Sequence, residues 1–347
     1  MHRLWAALTV VIAGAALATA VVGQSAAPPQ PLPTSKKVPV KRVAKPAMPK
    51  GPIVEAKTVF GSIGTPAPLA PRAIGFYSKG CLAGAQPLPI DGPVWQAMRL
   101  SRNRNWGHPN LIALVERLAI DAKAKDGWPG LLVGDISQPR GGPMLTGHAS
   151  HQVGLDADIW LTPMPDRRLS AAEREELAAT SMLGDDGILV DPKVWTPAHA
   201  RLIVRAASYP EVDRMFVHPG IKKALCLEPG IDRTNLWKIQ PYYGHYYHMH
   251  IRISCPPGSG NCRGQPGRPS DDGCGREVDQ WIANFRKAAS QPKVAPDPNA
   301  KPVPPKPGMG IDQLPAECRM VIDAGATGTL AGAIAKAKGA TAANGKQ

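Results

Sequence analysis

Two short histidine-bearing segments, far apart in the chain, constrain it most. They are Gly147-His148-Ala149-Ser150-His151-Gln152-Val153-Gly154-Leu155-Asp156-Ala157-Asp158 and His245-Tyr246-Tyr247-His248-Met249-His250, and they hold five of the nine histidines. Imidazole and carboxylate are common zinc ligands, and a catalytic zinc takes three protein ligands and keeps one position open. A metal that draws on both segments requires a fold that brings them together. Residues 248–253 alternate polar and apolar, which predicts a strand. Side chains two apart on a strand share a face, so His248 and His250 point one way and Met249 and Ile251 the other. Gly154 permits a tight bend after His151, and Asp156 to Leu161 alternates into a second strand. His151 on the bend and Asp158 on the strand then meet, and His250 closes the site from a neighbouring strand. A lone His-x-His is more often a surface pair. The two segments together, with an aspartate seven residues after His151, point to a metal. The helical His-Glu-x-x-His pattern is absent.

The chain opens Met1-His2-Arg3 and then runs apolar from Leu4 to Gly23. Residues 1–26 read as a secretory signal, cleaved after Ala20 or Ala26. A retained anchor is the alternative, because the run is nearly long enough to span a bilayer. After cleavage no span is expected. Residues 27–60 are rich in Pro and Lys and read as an extended linker, either a plain tether or a basic contact to an anionic surface.

Residues 61–290 read as one α+β domain with an antiparallel sheet and flanking helices. Within it, Asn110 to Lys125 carries apolar residues at helical spacing, and Leu131 to Ile136 reads as a buried strand. Ser170 and Glu173 form a capping box that opens a helix to about Met182. Thr196-Pro197 opens another to about Ser208, and Met215 to Val217 is a short strand. Residues 291–323 are a Pro-rich segment followed by a tail holding Cys318, and 324–347 read as disordered.

An even count of six cysteines behind a signal favours disulfides in an oxidising compartment. Cys255 and Cys262, around a Pro-Pro-Gly loop, form the most plausible local pair, and spacing does not choose among the rest. No Cys-x-x-Cys occurs, which argues against a structural zinc on the cysteines. The net charge of +14 is largely in the linker and tail, so it says little about the site. No nucleic-acid motif accompanies it, and no nucleic-acid partner is expected.

Ser150-His151-Gln152-x-Gly154-x-Asp156-x-Asp158-Ile159, followed by His248-Met249-His250, resembles the penicillin-insensitive murein endopeptidases. These belong with the lysostaphin, D-Ala-D-Ala metallopeptidase and hedgehog-like folds. The likeness runs from about Gly75 to Ile282, and the last cysteine extends it to about Asp323. It implies a zinc site on the sheet and a periplasmic enzyme that cuts D-alanyl–meso-diaminopimelate cross-links in peptidoglycan. The alternatives are a D,D-carboxypeptidase and a metal-bearing, non-catalytic wall-binding module. By resemblance the zinc ligands are His151, Asp158 and His250, and His248 is a general base or oxyanion stabiliser. His245 is a second catalytic candidate that orients the water or a ligand, and His148 is a candidate for a second metal or the substrate; for both, a hydrogen-bonded supporting role is equally open. Asp186 falls where the family has a further acidic ligand, but Leu189 stands where a histidine often follows, which weakens the case for a second metal. The resemblance also pairs Cys226 with Cys274 and Cys81 with Cys318. Trp160, Tyr242, Tyr243, Tyr246 and Tyr247 either wall the groove or pack in the core. A serine route finds only Ser290-Gln-Pro-Lys293, at the start of the Pro-rich tail where no rigid pocket forms. Without an acylated serine, β-lactams have no covalent target.

Overall fold

The computed structural model describes residues 54–267, 269, 271–292 and 308–325. The expected signal, most of the linker, the Pro-rich segment before residue 308 and the 326–347 tail lie outside the described residues. Folding begins ahead of Gly61. Helix α1 (Ala56–Gly61) lies in the stretch read as linker and buries Val59 and Phe60 completely.

A hairpin follows, β1 (Arg72–Phe76) with β2 (Lys79–Ala83). Then come β3 (Gln86–Pro87), β4 (Trp95–Ala97), β5 (Trp106–Gly107), α2 (Pro109–Asp126), β6 (Leu131–Val133) and β7 (Asp156–Trp160). Helices α3 (Ala171–Glu176) and α4 (Pro197–Ser208) lead to β8 (Val212–Val217), α5 (Pro219–Leu227), β9 (Ile239–Pro241) and β10 (His248–Ile253). Helices α6 (Arg276–Ser290) and α7 (Glu317–Asp323) close the described chain.

The main sheet has the order β4-β6-β7-β10-β8-β9. Its centre, from β6 through β7 and β10 to β8, is antiparallel as expected, but the edge pairs β4–β6 and β8–β9 are parallel. The α+β class stands and the sheet is mixed. The cause is the connections: a parallel pair needs a crossover, and α2 lies between β4 and β6 as α5 lies between β8 and β9.

Local signals set most boundaries. His108 caps α2 by accepting from the Asn110 N–H, Pro109 sits at the first turn, and Gly127 ends the helix at φ +72°. Leu111, Leu114, Val115 and Leu118 of α2 are buried in the main core with Ala200, Leu202 and Ile203 of α4. Helix α3 has the expected capping box but stops at Glu176 rather than near Met182. The Arg99 guanidinium donates to the carbonyls of Arg174 (2.8 Å), Glu175 and Leu177 (2.9 Å), which continued helix would have used. The Met182 N–H then bonds to Tyr246 O (2.8 Å).

Three disulfides join Cys81 to Cys318, Cys226 to Cys274 and Cys255 to Cys262. The first ties α7 to β2 across 237 residues. Around it a second core collects Val59, Phe60, Ile74, Val321 and Ile322. The buried Arg140 guanidinium donates to the carbonyls of Val321 (2.6 Å) and Ile322 (2.8 Å), satisfying the end of α7. Thiol titration of the denatured, unreduced protein should therefore find no free thiol, and reduction should lower stability by about 2–5 kcal/mol per structural bridge. A titre of two thiols per chain would break one of these pairs. Among the described residues no helix is long and apolar enough to cross a membrane.

Candidate metal centre

The site forms where β7 and β10 run side by side. Their register sets His250 opposite Asp158, Arg252 opposite Asp156 and His248 opposite Trp160. Alternation turns Ala157, Ile159, Met249 and Ile251 into the main core, each fully buried. The two aspartates, Trp160, both histidines and Arg252 therefore share the other face.

His151 reaches this face from the preceding bend. Gly154, at φ +68°, makes the turn, and a Cβ there would lie 2.3 Å from the Leu82 side chain. His151 itself has φ +66°, an uncommon value for a residue with a side chain. The structure holds it there from three sides. Ser137 Oγ donates to the His151 carbonyl, Asp156 Oδ2 accepts from its N–H (3.2 Å), and its Nδ1 bonds to Ile136 O. The carbonyl partner places the ring proton on Nδ1 and leaves Nε2 bare. That Nε2 lies 3.4 Å from Asp158 Oδ1. Both atoms are buried, and neither has a hydrogen-bond partner.

The other histidines converge on Asp158. His250 donates from Nε2 to Asp156 Oδ1 (2.8 Å) and turns Nδ1 to within 3.3 Å of Asp158 Oδ1. His148 donates from Nε2 to Asp135 Oδ2 (3.0 Å) and brings Nδ1 to 3.5 Å from Asp158 Oδ2. His248 Nε2 lies 3.6 Å from Asp158 Oδ1, and its buried Nδ1 has no partner. Among the described residues, His148, His151 and Asp158 form a group whose donor atoms all lie within 4.8 Å of one another. His250 shares the same carboxylate from the opposite strand.

The electrostatics suit a cation. Burial pushes His248 and His250 down to about 4, so both rings are neutral near pH 7. Burial opposes charge on Asp156 and Asp158, but Arg252 and His250 around the first, and His248 and His151 around the second, hold both carboxyls well below the usual range. At His151 burial is outweighed by Asp158 and Asp156, and the ring is raised. The buried carboxylates favour positive charge at this point, which a proton or a metal can supply.

Other expected residues sit differently. Asp186 is exposed, and its Oδ1 accepts from the N–H groups of Ile188 (2.8 Å) and Leu189 (3.1 Å). It closes a turn and is not part of the group around Asp158. His245 is at the rim, at φ +54°, donating to Tyr243 O (2.6 Å) with its ring 4.9 Å from His248. Asp156 is completely buried and holds His250, Arg252 and the His151 backbone. Asp135 was not singled out. It anchors His148 together with Arg102 (3.1 Å) and Arg104 (2.8 Å). Its signal was a carboxylate two residues beyond the buried run Leu131–Val133.

Two clefts meet at His148. One, of about 300 Å³, is lined by Arg99, Arg102, Trp160, Tyr246, Tyr247 and His248. The other, of about 370 Å³, is lined by Phe76, Phe216, Tyr242, His245, His250 and Arg252. Of the five aromatic residues read as either walling the groove or packing in the core, four line these clefts and Tyr243 does not.

Comparison with known proteins matches this frame. The family model described as "Penicillin-insensitive murein endopeptidase" matches residues 73–323. A protein of that name from Yersinia enterocolitica is 39% identical over 270 residues, covering 78% of this chain and 92% of its own. One from Pectobacterium atrosepticum is 40% identical over 252 residues, covering 73% and 88%. One from Haemophilus influenzae is 46% identical over 225 residues, covering 64% and 78%.

Proposed function

Since the chain belongs to the penicillin-insensitive murein endopeptidase family, we propose that it is a zinc peptidase that hydrolyses D-alanyl–meso-diaminopimelate cross-links in peptidoglycan. His151 Nε2, Asp158 and His250 Nδ1 would hold the zinc. Supporting this set are two buried polar atoms without protein partners, His151 Nε2 and Asp158 Oδ1, which face each other. The ring nitrogens turned away from them are engaged by Ile136 O and Asp156. Such outer partners orient ligating histidines. When bound, zinc supplies a Lewis acid for the scissile carbonyl and lowers the pKa of a water.

The chain's own groups do the rest. His248, neutral and beside Asp158, takes a proton as base, or stabilises the oxyanion once protonated. Asp156 keeps His250 and Arg252 in place, and Asp135 keeps His148 in place. Because hydrolysis uses water and no acylated serine, β-lactams have nothing to modify. The substrate lies outside the cytoplasm, which agrees with three disulfides and with export by the N-terminal signal.

One observation favours an endopeptidase over a carboxypeptidase. Two clefts share His148, one reaching Asp158 and His248 and the other His245 and His250, which gives a peptide room beyond a single terminal residue. Purified cross-linked muropeptide dimers should be converted to monomers, and pentapeptide monomers should keep their terminal D-alanine. A chelator should stop the reaction, zinc should restore it, and penicillin should leave it unchanged. Release of D-alanine from monomers without dimer cleavage would make the protein a carboxypeptidase. No turnover in the zinc-loaded protein would make it a binding module.

A further inference from the structure

A third cleft, of about 720 Å³, opens beside α6 and is used by nothing described so far. Tyr243, Gln280, Trp281, Asn284 and Asp271 line it. The Tyr243 and Trp281 rings stand 4.8 Å apart at 74°, forming an aromatic corner, and Tyr243 is 64% exposed. Gln280 and Asn284 are one helical turn apart on α6, where Gln280 Nε2 donates to Asn284 Oδ1 (3.0 Å). That bond leaves an amide oxygen on Gln280 and an amide N–H on Asn284, both exposed, for a ligand.

The opposite wall is built rather than loose. The Asp271–Gly275 loop is tied to α5 by the Cys226–Cys274 disulfide. The fully buried Lys222 donates to Asp272 O (2.6 Å) and Leu236 O (2.7 Å). Arg233 Nε donates to Asp272 Oδ2 (2.9 Å). A preformed cleft combining aromatic faces with a free amide donor and acceptor, and with Asp271, Arg276 and Glu277 on its lining, fits a flat ligand that bears an amide and hydroxyl groups.

The cleft adjoins the loop that carries His245 at the rim of the metal centre. Tyr243 O accepts from His245 Nδ1 (2.6 Å), and Tyr242 lies 5.7 Å from the His245 ring and 6.4 Å from that of Tyr243. A peptide stem of three or four residues spans roughly 10–14 Å when extended, which sets how far from the scissile bond its glycan strand can be held. We propose that the Tyr243–Trp281 cleft binds the N-acetylated sugars of the glycan strand to which the cleaved stem is attached, the rings stacking on the sugar and Gln280 and Asn284 bonding its acetamido group. This rests on the murein endopeptidase reading above.

The test compares two cross-linked dimers with the same peptides, one bearing its disaccharides and one stripped of them by an amidase. The wild-type protein should show a KM about tenfold lower for the sugar-bearing dimer, the scale expected for one aromatic face. In Trp281→Ala and, separately, Asn284→Ala, the ratio of the two KM values should fall towards one. Asn284 is exposed on the helix, so its variant tests the site where Trp281→Ala fails to fold. A free N-acetylglucosamine tetramer should quench tryptophan fluorescence in the wild-type protein and not in Trp281→Ala. Equal KM values for both dimers in the wild type, or an unchanged ratio in both variants, would overturn the glycan site and leave the endopeptidase reading intact. Cleavage of neither dimer would instead sink that reading, and the tetramer titration would still decide the sugar site.

Discussion

His151→Ala is expected to lose both bound zinc and turnover, and so is His250→Ala. The two rings approach the same oxygen, Asp158 Oδ1, from the bend and from the neighbouring strand, at 3.4 and 3.3 Å. His148 faces the other oxygen of the carboxylate, and Asp186 closes a turn elsewhere. Removing a partner that merely orients a ligating histidine costs about 10–100-fold in metal affinity, so removing the ligand itself should cost more. The measurement is zinc content after dialysis, with dimer cleavage on the same preparation and circular dichroism to check the fold. Full zinc occupancy in either variant would take that residue out of the ligand set. His148→Ala separates the two possible triads. If it loses zinc while His250→Ala keeps it, the ligands are His148, His151 and Asp158. Asp156→Asn is the milder companion, weakening zinc through His250 and the His151 backbone.

The strands that carry the site were legible because period-2 alternation is a local property. It puts His248 and His250 on one face and Met249 and Ile251 on the other, which the structure buries in the core. The same alternation places Arg252 beside the histidines, although that residue drew no attention in a histidine-led reading. Caps were equally local: Thr196-Pro197 and the Ser170–Glu173 box both open helices. What was not legible depends on distant partners. The parallel edge pairs follow from which strands the crossovers join, and no periodicity records that. Helix α3 stops early because Arg99, from another part of the chain, takes its last carbonyls. Asp135 matters only because the fold brings His148, Arg102 and Arg104 to it. Asp186 is a candidate by resemblance alone, with Leu189 three residues on where a histidine often follows, and its Oδ1 accepts from two backbone N–H groups.

His248→Ala should behave unlike the ligand variants, keeping zinc and losing most turnover. His248 shares a strand face with His250, but its nearest approach to Asp158 is 3.6 Å, and no protein group orients its Nδ1. His151 and His250, the ligands proposed above, each have their other nitrogen engaged. An unengaged, buried ring at the edge of a cleft suits proton transfer more than ligation. A base contributes about 10²–10⁴-fold and an oxyanion donor about 10²–10³-fold, so kcat should fall within that range. KM should change less, because the role belongs to the transition state. The sign of the pH dependence follows from burial. His248 is pushed down to about 4, and a base must be unprotonated, so activity should persist below the ordinary histidine range and fall only as pH drops towards that value. The measurement is zinc content, kcat and KM for one preparation of the variant. Loss of zinc would make His248 a ligand. Near-normal kcat would make it a bystander and pass the catalytic role to His245, whose ring lies 4.9 Å away at the rim.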